Sequence, residues 1–358
     1  METAAEDEGR VPRATPHAAA CLSVQRPVLA GETACTACAR ACPAQAIGIG
    51  PRRVGISAAA CTGCGLCAAA CPTGALEVEG FALPAQGATQ IECSRVRPAD
   101  RVPGATVVPC LGGLTHAALR DALIAGGVTL IDRGWCAGCP VAGTAAPWSQ
   151  ALEAVRAEAE LAGFARAPGA VSAPLDPARA EPPPQPPAPE ARSRRGWIAR
   201  FARHRTHAPA GPGTPPAATE TPALAARHDA LQRMAGGELP PGLMPELTPA
   251  VARPDLDLAA RLCPTGALGL SLGDGVARLG FDAARCISCG DCEAAGFELR
   301  ARGTRSHVGT VTLAEAPLAR CARCKMRFRP EADETRCAQC AKDDDIAALA
   351  HGLMRRRG

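Results

Sequence analysis

The stretch CTGCGLCAAACP, from Cys61 to Pro72, places three cysteines three residues apart and a fourth, Cys71, immediately before a proline. The chain has 358 residues and 20 cysteines. Their spacings divide them into sets of four, the number of protein ligands that one closed tetrahedral metal site takes. In a reducing cytosol, cysteines spaced this tightly are metal ligands more often than disulfide partners. The spacing therefore predicts a chain organised around several thiolate-bound metal centres.

The run from Cys61 to Pro72 resembles that of bacterial ferredoxins with two 4Fe–4S clusters. In that family the first three cysteines surround one cluster, and the fourth points away and binds the neighbouring cluster. The proline fixes φ and removes a donor where the chain leaves the site. Cys42, followed by Pro43, supplies the remote ligand in the same way. The resemblance implies one 4Fe–4S cluster held by Cys42, Cys61, Cys64 and Cys67.

The partner run departs from the ferredoxin pattern, because Glu32 stands where its first cysteine belongs. Three outcomes are open: a three-iron cluster, ligation by the Glu32 carboxylate, or recruitment of Cys21 from upstream. We favour Cys21, since it is otherwise the one cysteine left outside a set of four. The expected ligands of this second cluster are Cys21, Cys35, Cys38 and Cys71.

An internal repeat predicts a second ferredoxin module towards the C-terminus. CPTGALGL, from Cys263, is a variant of CPAQAIGI from Cys42, and FDAARCISCGDC, ending at Cys292, matches ISAAACTGCGLC, ending at Cys67. The predicted ligands of its 4Fe–4S cluster are Cys263, Cys286, Cys289 and Cys292. The positions of the other cluster's ligands hold Arg253, Leu256, Ala259 and Gly296, so this copy resembles a single-cluster ferredoxin.

Between the two modules, three short β-branched segments lead to cysteines: TQIEC to Cys93, ATVVPC to Cys110 and VTLIDRGWC to Cys136. HAALRDALIA has helical periodicity, with Thr115 as its N-cap and Gly126-Gly127 at its end. Strand carboxyl ends gather at one edge of a parallel sheet, where ligands bind. We expect a small α/β unit that brings together Cys93, Cys110, Cys136 and Cys139.

The segment VPCLGGLTHAALRDALIAGGVTLIDRGWCAGC resembles the delta subunit of methyl-viologen-reducing hydrogenase. This resemblance implies an electron-transfer unit with a 2Fe–2S cluster. A 4Fe–4S cluster is also compatible with four cysteines. Two other interpretations stay open: a redox-active dithiol of Cys136 and Cys139, or ordinary buried thiols.

The last four cysteines have the spacing CxxC, twelve residues, CxxC, which is typical of a structural zinc ribbon. The predicted zinc ligands are Cys321, Cys324, Cys337 and Cys340. A rubredoxin-like iron site is the rival, disfavoured by Lys325 and Ala341 where that family has glycine. Nearby basic residues would partly neutralise the negative charge of the thiolates or contact an acidic partner. They are Arg323, Lys325, Arg327 and Arg329. The acidic run 343–345 is expected at a helix N-terminus.

The predicted fold class is α+β multidomain: ferredoxin-like iron–sulfur modules, a small α/β unit and a zinc ribbon, joined by a disordered linker. A Pro- and Ala-rich composition marks the linker. Within it, GWIARFARHRTH is expected to be a transient solvated segment, and the alternative is a short basic amphipathic helix that docks on a partner or an anionic membrane surface. The expected domains are a disordered N-terminus (1–20), a two-cluster module (21–84), the α/β unit (85–165), the linker (166–222), a helical segment (223–250), a single-cluster module (251–315) and the ribbon with a C-terminal helix (316–358).

The net charge of +4 is spread along the chain and gives no nucleic-acid-binding footprint. The sequence contains no secretory signal and no apolar stretch of the roughly 20 residues that span a membrane, so a cytoplasmic protein is expected. Phosphate-binding, nucleophile-elbow and metalloprotease motifs do not occur. His116 is expected at the surface. The sequence therefore predicts no catalytic residue, and an enzymatic role for this chain alone is disfavoured.

The cysteine pattern favours a multi-cluster protein that relays single electrons between redox enzymes, with about three 4Fe–4S clusters, a further 2Fe–2S or 4Fe–4S cluster, and zinc. The alternative is an accessory or maturation factor for a molybdenum or iron–sulfur oxidoreductase such as formate dehydrogenase. A weaker third hypothesis is an electron-input subunit. The expected partners are redox proteins, with formate dehydrogenase or hydrogenase as candidates.

Overall fold

The computed structural model describes residues 14–25, 35–50, 53–182, 222–273, 275–304, 309–330 and 334–355. The chain divides into two compact units, one of residues 1–243 with 304–306 and the other of 244–303 with 307–358. In the described residues the strands are β1 (Ala14–Pro16), β2 (Ile47–Gly50), β3 (Arg53–Ile56), β4 (Leu76–Val78), β5 (Thr89–Cys93), β6 (Thr106–Val108), β7 (Val128–Asp132), β8 (Gly169–Ser172), β9 (Glu246–Pro249), β10 (Leu268–Gly273), β11 (Val276–Asp282), β12 (Phe297–Arg300), β13 (Thr310–Pro317), β14 (Ala319–Arg320) and β15 (Arg327–Phe328). The α-helices are α1 (Leu22–Gln25), α2 (Ala37–Arg40), α3 (Leu66–Ala69), α4 (His116–Ala125), α5 (Ser149–Leu161), α6 (Pro222–Ala225), α7 (Arg227–Ala235), α8 (Leu256–Leu262) and α9 (Ala338–Arg355).

The N-terminal part of the first unit consists of two antiparallel strand pairs and short helices that carry cysteines. β2 pairs with β3, and β1 pairs with β4. Small residues on these elements form the core, which contains Cys38, Cys67, Ala68, Leu76 and Val78. A core this small buries little apolar surface, so bound metal is expected to contribute to its folding energy.

β1 corrects the predicted N-terminal boundary. Residues 14–20 fall within the segment expected to be disordered, yet Ala14–Pro16 pairs with Leu76–Val78. His17 N–H also donates to the Ala75 carbonyl at 2.8 Å. These hydrogen bonds join residues far apart in sequence, so local composition carries no signal for them. The folded module begins at residue 14 or earlier.

The rest of the first unit is built on a four-stranded parallel sheet in the order β6-β5-β7-β8. α4, α5 and α7 supply apolar residues to one core with the sheet; its fully buried members include Ile91, Leu119, Leu130, Leu152 and Val155. Short β-branched strands followed by amphipathic helices produce this layered arrangement. The sheet's carboxyl edge is therefore held on a rigid support.

The predicted helix of the α/β unit is confirmed at both ends. α4 spans His116–Ala125, and the Thr115 hydroxyl accepts a hydrogen bond from Ala118 N–H at 3.1 Å. Of the three predicted strands, TQIEC is confirmed as β5, whereas the other two end earlier than predicted. β6 ends at Val108, before Pro109, whose nitrogen carries no hydrogen to donate, and β7 ends at Asp132. A turn follows β7, because the Asp132 carboxylate accepts from Gly134 N–H at 2.9 Å and Gly134 has φ 76°.

The linker boundary is also corrected. β8 lies inside the segment predicted as linker, yet it pairs with β7, and an isolated bridge joins Ala180 to Val96. β8 forms because the edge of β7 offers backbone hydrogen-bonding groups to it. The Pro- and Ala-rich composition of the segment does not predict this pairing. The folded unit therefore extends to residue 182. The segment GWIARFARHRTH and the rest of 183–221 lie outside the described residues.

The segment predicted as a separate helical stretch (223–250) belongs partly to each unit. Met234 of α7 packs in the core of the parallel sheet. β9, in contrast, pairs with β12 in the second unit, which begins at Met244. The predicted boundary at 251 is therefore several residues late.

The second unit repeats the backbone arrangement of the first module. β10 and β11 pair as β2 and β3 do, and β13 adds a third strand. Asp282 N–H donates to the Ala267 carbonyl at 2.8 Å, as Ser57 N–H does to Ala46. Gly65 and Gly290 both have positive φ, 75° and 81°. The sequence repeat is therefore also a repeat of local conformation.

The chain ends in a short hairpin followed by a helix. β14 pairs with β15, and α9 begins soon afterwards at Ala338. The acidic run 343–345 lies in the second turn of α9 rather than at its start, which corrects the expectation. Asp344 forms ion pairs with Arg323 and Arg336.

None of the helices in the described part of the chain has both the length and the apolar character needed to cross a bilayer.

Candidate metal centres

The first predicted set of cysteines lines one cavity. Cys61 and Cys64 lie on the loop leading into α3, Cys67 lies within α3, and Cys42 follows α2. All four face a space of roughly 340 Å³, which includes its opening to solvent. Ala46 N–H donates to the Cys42 Sγ at 3.3 Å. Loop geometry thus brings together four sulfurs that the sequence spreads over 26 positions.

A second cavity, of roughly 370 Å³ with its opening included, is lined by the other predicted set, Cys21, Cys35, Cys38 and Cys71. The Thr73 hydroxyl donates to the Ala20 carbonyl at 2.8 Å, and the Ser23 hydroxyl donates to the Cys35 carbonyl at 2.6 Å. These bonds hold the segment that carries Cys21 against the cavity. Glu32, the rival ligand, lies outside the described residues.

The thiols around both cavities are crowded and partly withdrawn from water. Burial raises the pKa of Cys67 to about 12, and the neighbouring Cys64 and Cys61 add to the rise. Burial likewise raises the pKa of Cys21, Cys38 and Cys64. Such thiols form thiolates together only if positive charge is supplied, as by metal. All-cysteine ligands on a largely apolar cavity wall suit a 4Fe–4S cluster.

The third set, Cys263, Cys286, Cys289 and Cys292, lies on the equivalent loops of the second unit. Burial raises the pKa of Cys292 to about 11, with further increases from Cys286 and Cys263. The copies differ in the exposure of one cysteine: Cys289 is exposed, whereas Cys64, its counterpart, is 8% exposed.

In the second unit, the positions where the ferredoxin pattern has the ligands of its other cluster hold residues with packing or hydrogen-bond partners. Leu256 and Ala259 on α8 are both buried. A Cβ on Gly296 would lie 2.6 Å from the Val251 side chain. Arg253 donates to the Pro330 carbonyl at 2.9 Å. These contacts are compatible with one cluster in this copy, which stays a prediction.

The fourth set lies at the carboxyl edge of the parallel sheet. Burial raises the pKa of Cys110 to about 12, with Cys93, Cys64 and Cys136 among the neighbours that raise it further. The pKa of Cys136 is also about 12, through burial and then Asp132, Cys93 and Cys139. The structure therefore brings Cys93, Cys110, Cys136 and Cys139 into one neighbourhood.

Two charged groups beside these cysteines were not singled out from the sequence. Arg95 donates from Nη1 to the Cys139 Sγ at 3.0 Å and from Nε to the Glu181 carbonyl at 2.9 Å. Glu92, fully buried on β5, accepts from Arg133 Nε at 2.6 Å and from Val102 N–H at 3.0 Å. Both residues lie within two positions of Cys93, but spacing alone gives no sign of their partners.

The fifth set, Cys321, Cys324, Cys337 and Cys340, has the geometry of a single-ion site. Among the residues that the structure describes, it is the one group of potential ligands whose atoms all lie within 4.8 Å of one another. Cys324 Sγ and Cys337 Sγ are 3.7 Å apart, close to the edge of a tetrahedron with bonds of about 2.3 Å. Backbone N–H groups of Cys324 and Cys337 lower the pKa of Cys321 to about 6. The other four sets do not meet this 4.8 Å limit, and their wider spacing suits polynuclear clusters better than a single ion.

The basic residues near the fifth set contact carbonyl and carboxylate groups. Arg323 donates to the Cys340 carbonyl at 3.4 Å and to Asp344 at 2.8 Å. Arg329 donates to the Pro254 carbonyl at 3.2 Å. These contacts fasten the hairpin to α9 and to the preceding module.

His116 is half-exposed, with Nε2 3.1 Å from the Glu158 carboxylate on α5, which gives it a structural partner.

Comparison with known families agrees with the first two cavities. A family model described as a 4Fe-4S dicluster domain matches residues 33–75. The matched segment includes every cysteine from Cys35 to Cys71. The chain contains a 4Fe–4S dicluster domain. The match extends neither to the second copy nor to the central α/β unit, so their resemblances stay predictions. No curated protein and no solved structure matches the chain.

Proposed function

We propose that this chain is a multi-cluster iron–sulfur protein that relays single electrons between partner redox enzymes. The observation that carries the proposal is the dicluster domain, with its two cysteine-lined cavities side by side in one small core. Clusters of this kind take up and release one electron at potentials set by their surroundings. The four cysteines around each cavity would hold the cluster, and the apolar walls would limit water access.

The proposed ligand sets are those predicted from the sequence. For the dicluster domain they are Cys42 with Cys61, Cys64 and Cys67, and Cys21 with Cys35, Cys38 and Cys71. The second unit would hold one 4Fe–4S cluster, and the central set would hold an iron–sulfur cluster. We assign zinc to the last four cysteines, because their close spacing suits one ion. Redox enzymes are the proposed partners.

Anaerobic purification with iron, sulfide and zinc analysis and EPR tests the proposal. We expect about 14 to 16 irons and about one zinc per chain, in line with three 4Fe–4S clusters and one further cluster. Dithionite should reduce the clusters, and a redox partner should reoxidise them. Clusters that stay redox-silent under dithionite would contradict a relay function.

A second candidate is a maturation factor for a molybdenum or iron–sulfur oxidoreductase such as formate dehydrogenase. The compact group of four cysteines near the C-terminus favours it, because a zinc ribbon carries no electrons and suits protein docking. A maturation factor should bind the immature enzyme, and its deletion should leave that enzyme poor in cofactor. An enzyme that retains its cofactors after deletion, but no longer receives electrons, would favour the relay.

A further inference from the structure

The dicluster domain and the central cysteine site share one apolar wall. Cys64 of the first set packs in a buried cluster with Cys110 and Cys139 of the central set, together with Val141 and Ala142. Leu66, two residues after Cys64, packs against the same cluster. Two ligand sets from different elements of the first unit are therefore in direct contact.

Glycines on both sides allow this close approach. A Cβ on Gly113 would lie 2.3 Å from the Cys64 carbonyl oxygen and 2.3 Å from the Phe81 ring. A Cβ on Gly112 would lie 2.8 Å from the Leu66 side chain, and one on Gly65 would lie 2.9 Å from Gly113 Cα. Gly112 and Gly113 are not at positive φ, so space rather than backbone conformation requires glycine there.

The second ferredoxin-like copy indicates that the cysteine loop itself does not need such a wall. Gly290, the counterpart of Gly65, has the same left-handed conformation, but among the described residues a Cβ there would meet only the Glu293 side chain, at 3.8 Å. Cys289, the counterpart of Cys64, is exposed. In the described part of the second unit, the same local conformation therefore forms without a wall packed on this face. The glycine contacts in the first unit therefore serve the approach of the two sites.

We propose that Gly65, Gly112 and Gly113 form an electron junction, which holds the Cys64 side of the dicluster domain against the Cys110 side of the central site. The inference rests on the proposed relay function. Cys42, Cys61, Cys64 and Cys67 would hold one cluster, and Cys93, Cys110, Cys136 and Cys139 would hold the other. A low-potential one-electron donor such as dithionite would reduce the first, which would be reoxidised as its electron reduced the second, or the reverse, according to their potentials. The three glycines are positioning residues in this step.

The test compares Gly113→Ala with the unaltered full-length chain after anaerobic purification. In the unaltered chain, EPR of the partly reduced protein should show magnetic interaction between the two paramagnetic sites. In Gly113→Ala the new methyl group meets backbone, so the loops must separate. We expect loss of the interaction and slower arrival of electrons at the central site, with iron and sulfide content unchanged.

Two further variants make the result decisive. Gly138→Ala is the matched control, because it lies between Cys136 and Cys139 yet none of the described residues lies within 4 Å of its Cβ position; it should keep the interaction. Gly112→Ala is a milder probe, since it meets side chains rather than backbone. Loss of iron from both Gly113→Ala and Gly112→Ala would overturn the junction, because the glycines would then serve only folding.

Different experimental results would contradict the junction proposal and the relay proposal. If dithionite reduces none of the sites in the unaltered chain, the relay itself is wrong. If the sites are reduced but Gly113→Ala and Gly112→Ala keep the full magnetic interaction, the relay stands and the junction is overturned. Absence of iron from the central set, with the other clusters present, would also overturn the junction.

Discussion

Cys21 is the residue on which the second cavity of the dicluster domain depends. Cys21→Ser should convert a four-iron cluster into a three-iron cluster, with a loss of about one iron per chain, or remove the cluster altogether. Iron analysis and the EPR signal of a three-iron cluster measure the change. Glu32→Gln is the matched variant, and it should leave both unchanged. If Glu32→Gln alters the iron content and Cys21→Ser does not, our ligand assignment is wrong.

Glu92 is the buried charge that supports the central site. Glu92→Gln leaves the Arg133 guanidinium buried without its counter-charge, so we expect a loss of about 3 kcal/mol in unfolding free energy. Glu153→Gln is the control, because its ion pair with Arg156 is exposed and exposed pairs contribute about 0–1 kcal/mol. Chemical denaturation of the two holo variants measures both values. Equal losses would contradict the role we give to Glu92.

At the residue scale, spacing identified the cysteine runs, because loops that wrap a metal centre fix the number of residues between ligands, and the ligand sets themselves stay predictions. It could not reveal that Arg95 contacts Cys139 or that Glu92 pairs with Arg133. Those partners are 44 and 41 positions away, and nothing local marks them. The Cys21 assignment came from counting, since Cys21 falls outside the ferredoxin pattern.

The hairpin and helix at the C-terminus form an element that should depend on its metal. Cys324→Ser should remove about one zinc per chain and unfold this element, because structural zinc supplies much of the folding energy of such ribbons. The iron content should not change. Metal analysis and protease sensitivity of residues 319–355 measure the effect. Iron lost in place of zinc would establish the rubredoxin-like alternative.

Lys325→Gly is a useful comparison within the same element. Lys325 has φ 63°, a conformation that costs a non-glycine residue about 1 kcal/mol or more. The variant keeps all four thiols, so it should retain its zinc and gain about 1 kcal/mol in stability. Loss of zinc from Lys325→Gly would indicate that the lysine has a role beyond conformation.

Elements with local signals were the ones that sequence could predict. α4 followed from its periodicity, its Thr115 cap and its terminal glycines, all of which lie within a few residues of the helix. β8 was missed, because a four-residue strand in Pro- and Ala-rich sequence forms only where β7 presents an edge. β1 was missed for the same reason, since its partner β4 lies 60 positions downstream.

At the scale of the whole molecule, β8 and α7 flank residues 183–221 and both belong to the first unit. β8 hydrogen-bonds to β7, and Met234 of α7 packs in the same core. Elements on both sides of residues 183–221 therefore belong to one folded core, and their packing joins them independently of the peptide continuity between residues 183 and 221. A cut there should divide the polypeptide without dividing the folded unit.

Limited trypsin digestion tests this consequence, since Arg192, Arg194 and Arg195 lie within 183–221. We expect two bands on a denaturing gel but one peak, with its iron retained, on gel filtration. Separate peaks under native conditions would contradict it. If the cut protein stays whole, the two pieces should also assemble when produced as separate polypeptides, which would make this a natural place to divide the protein for complementation or to insert a reporter.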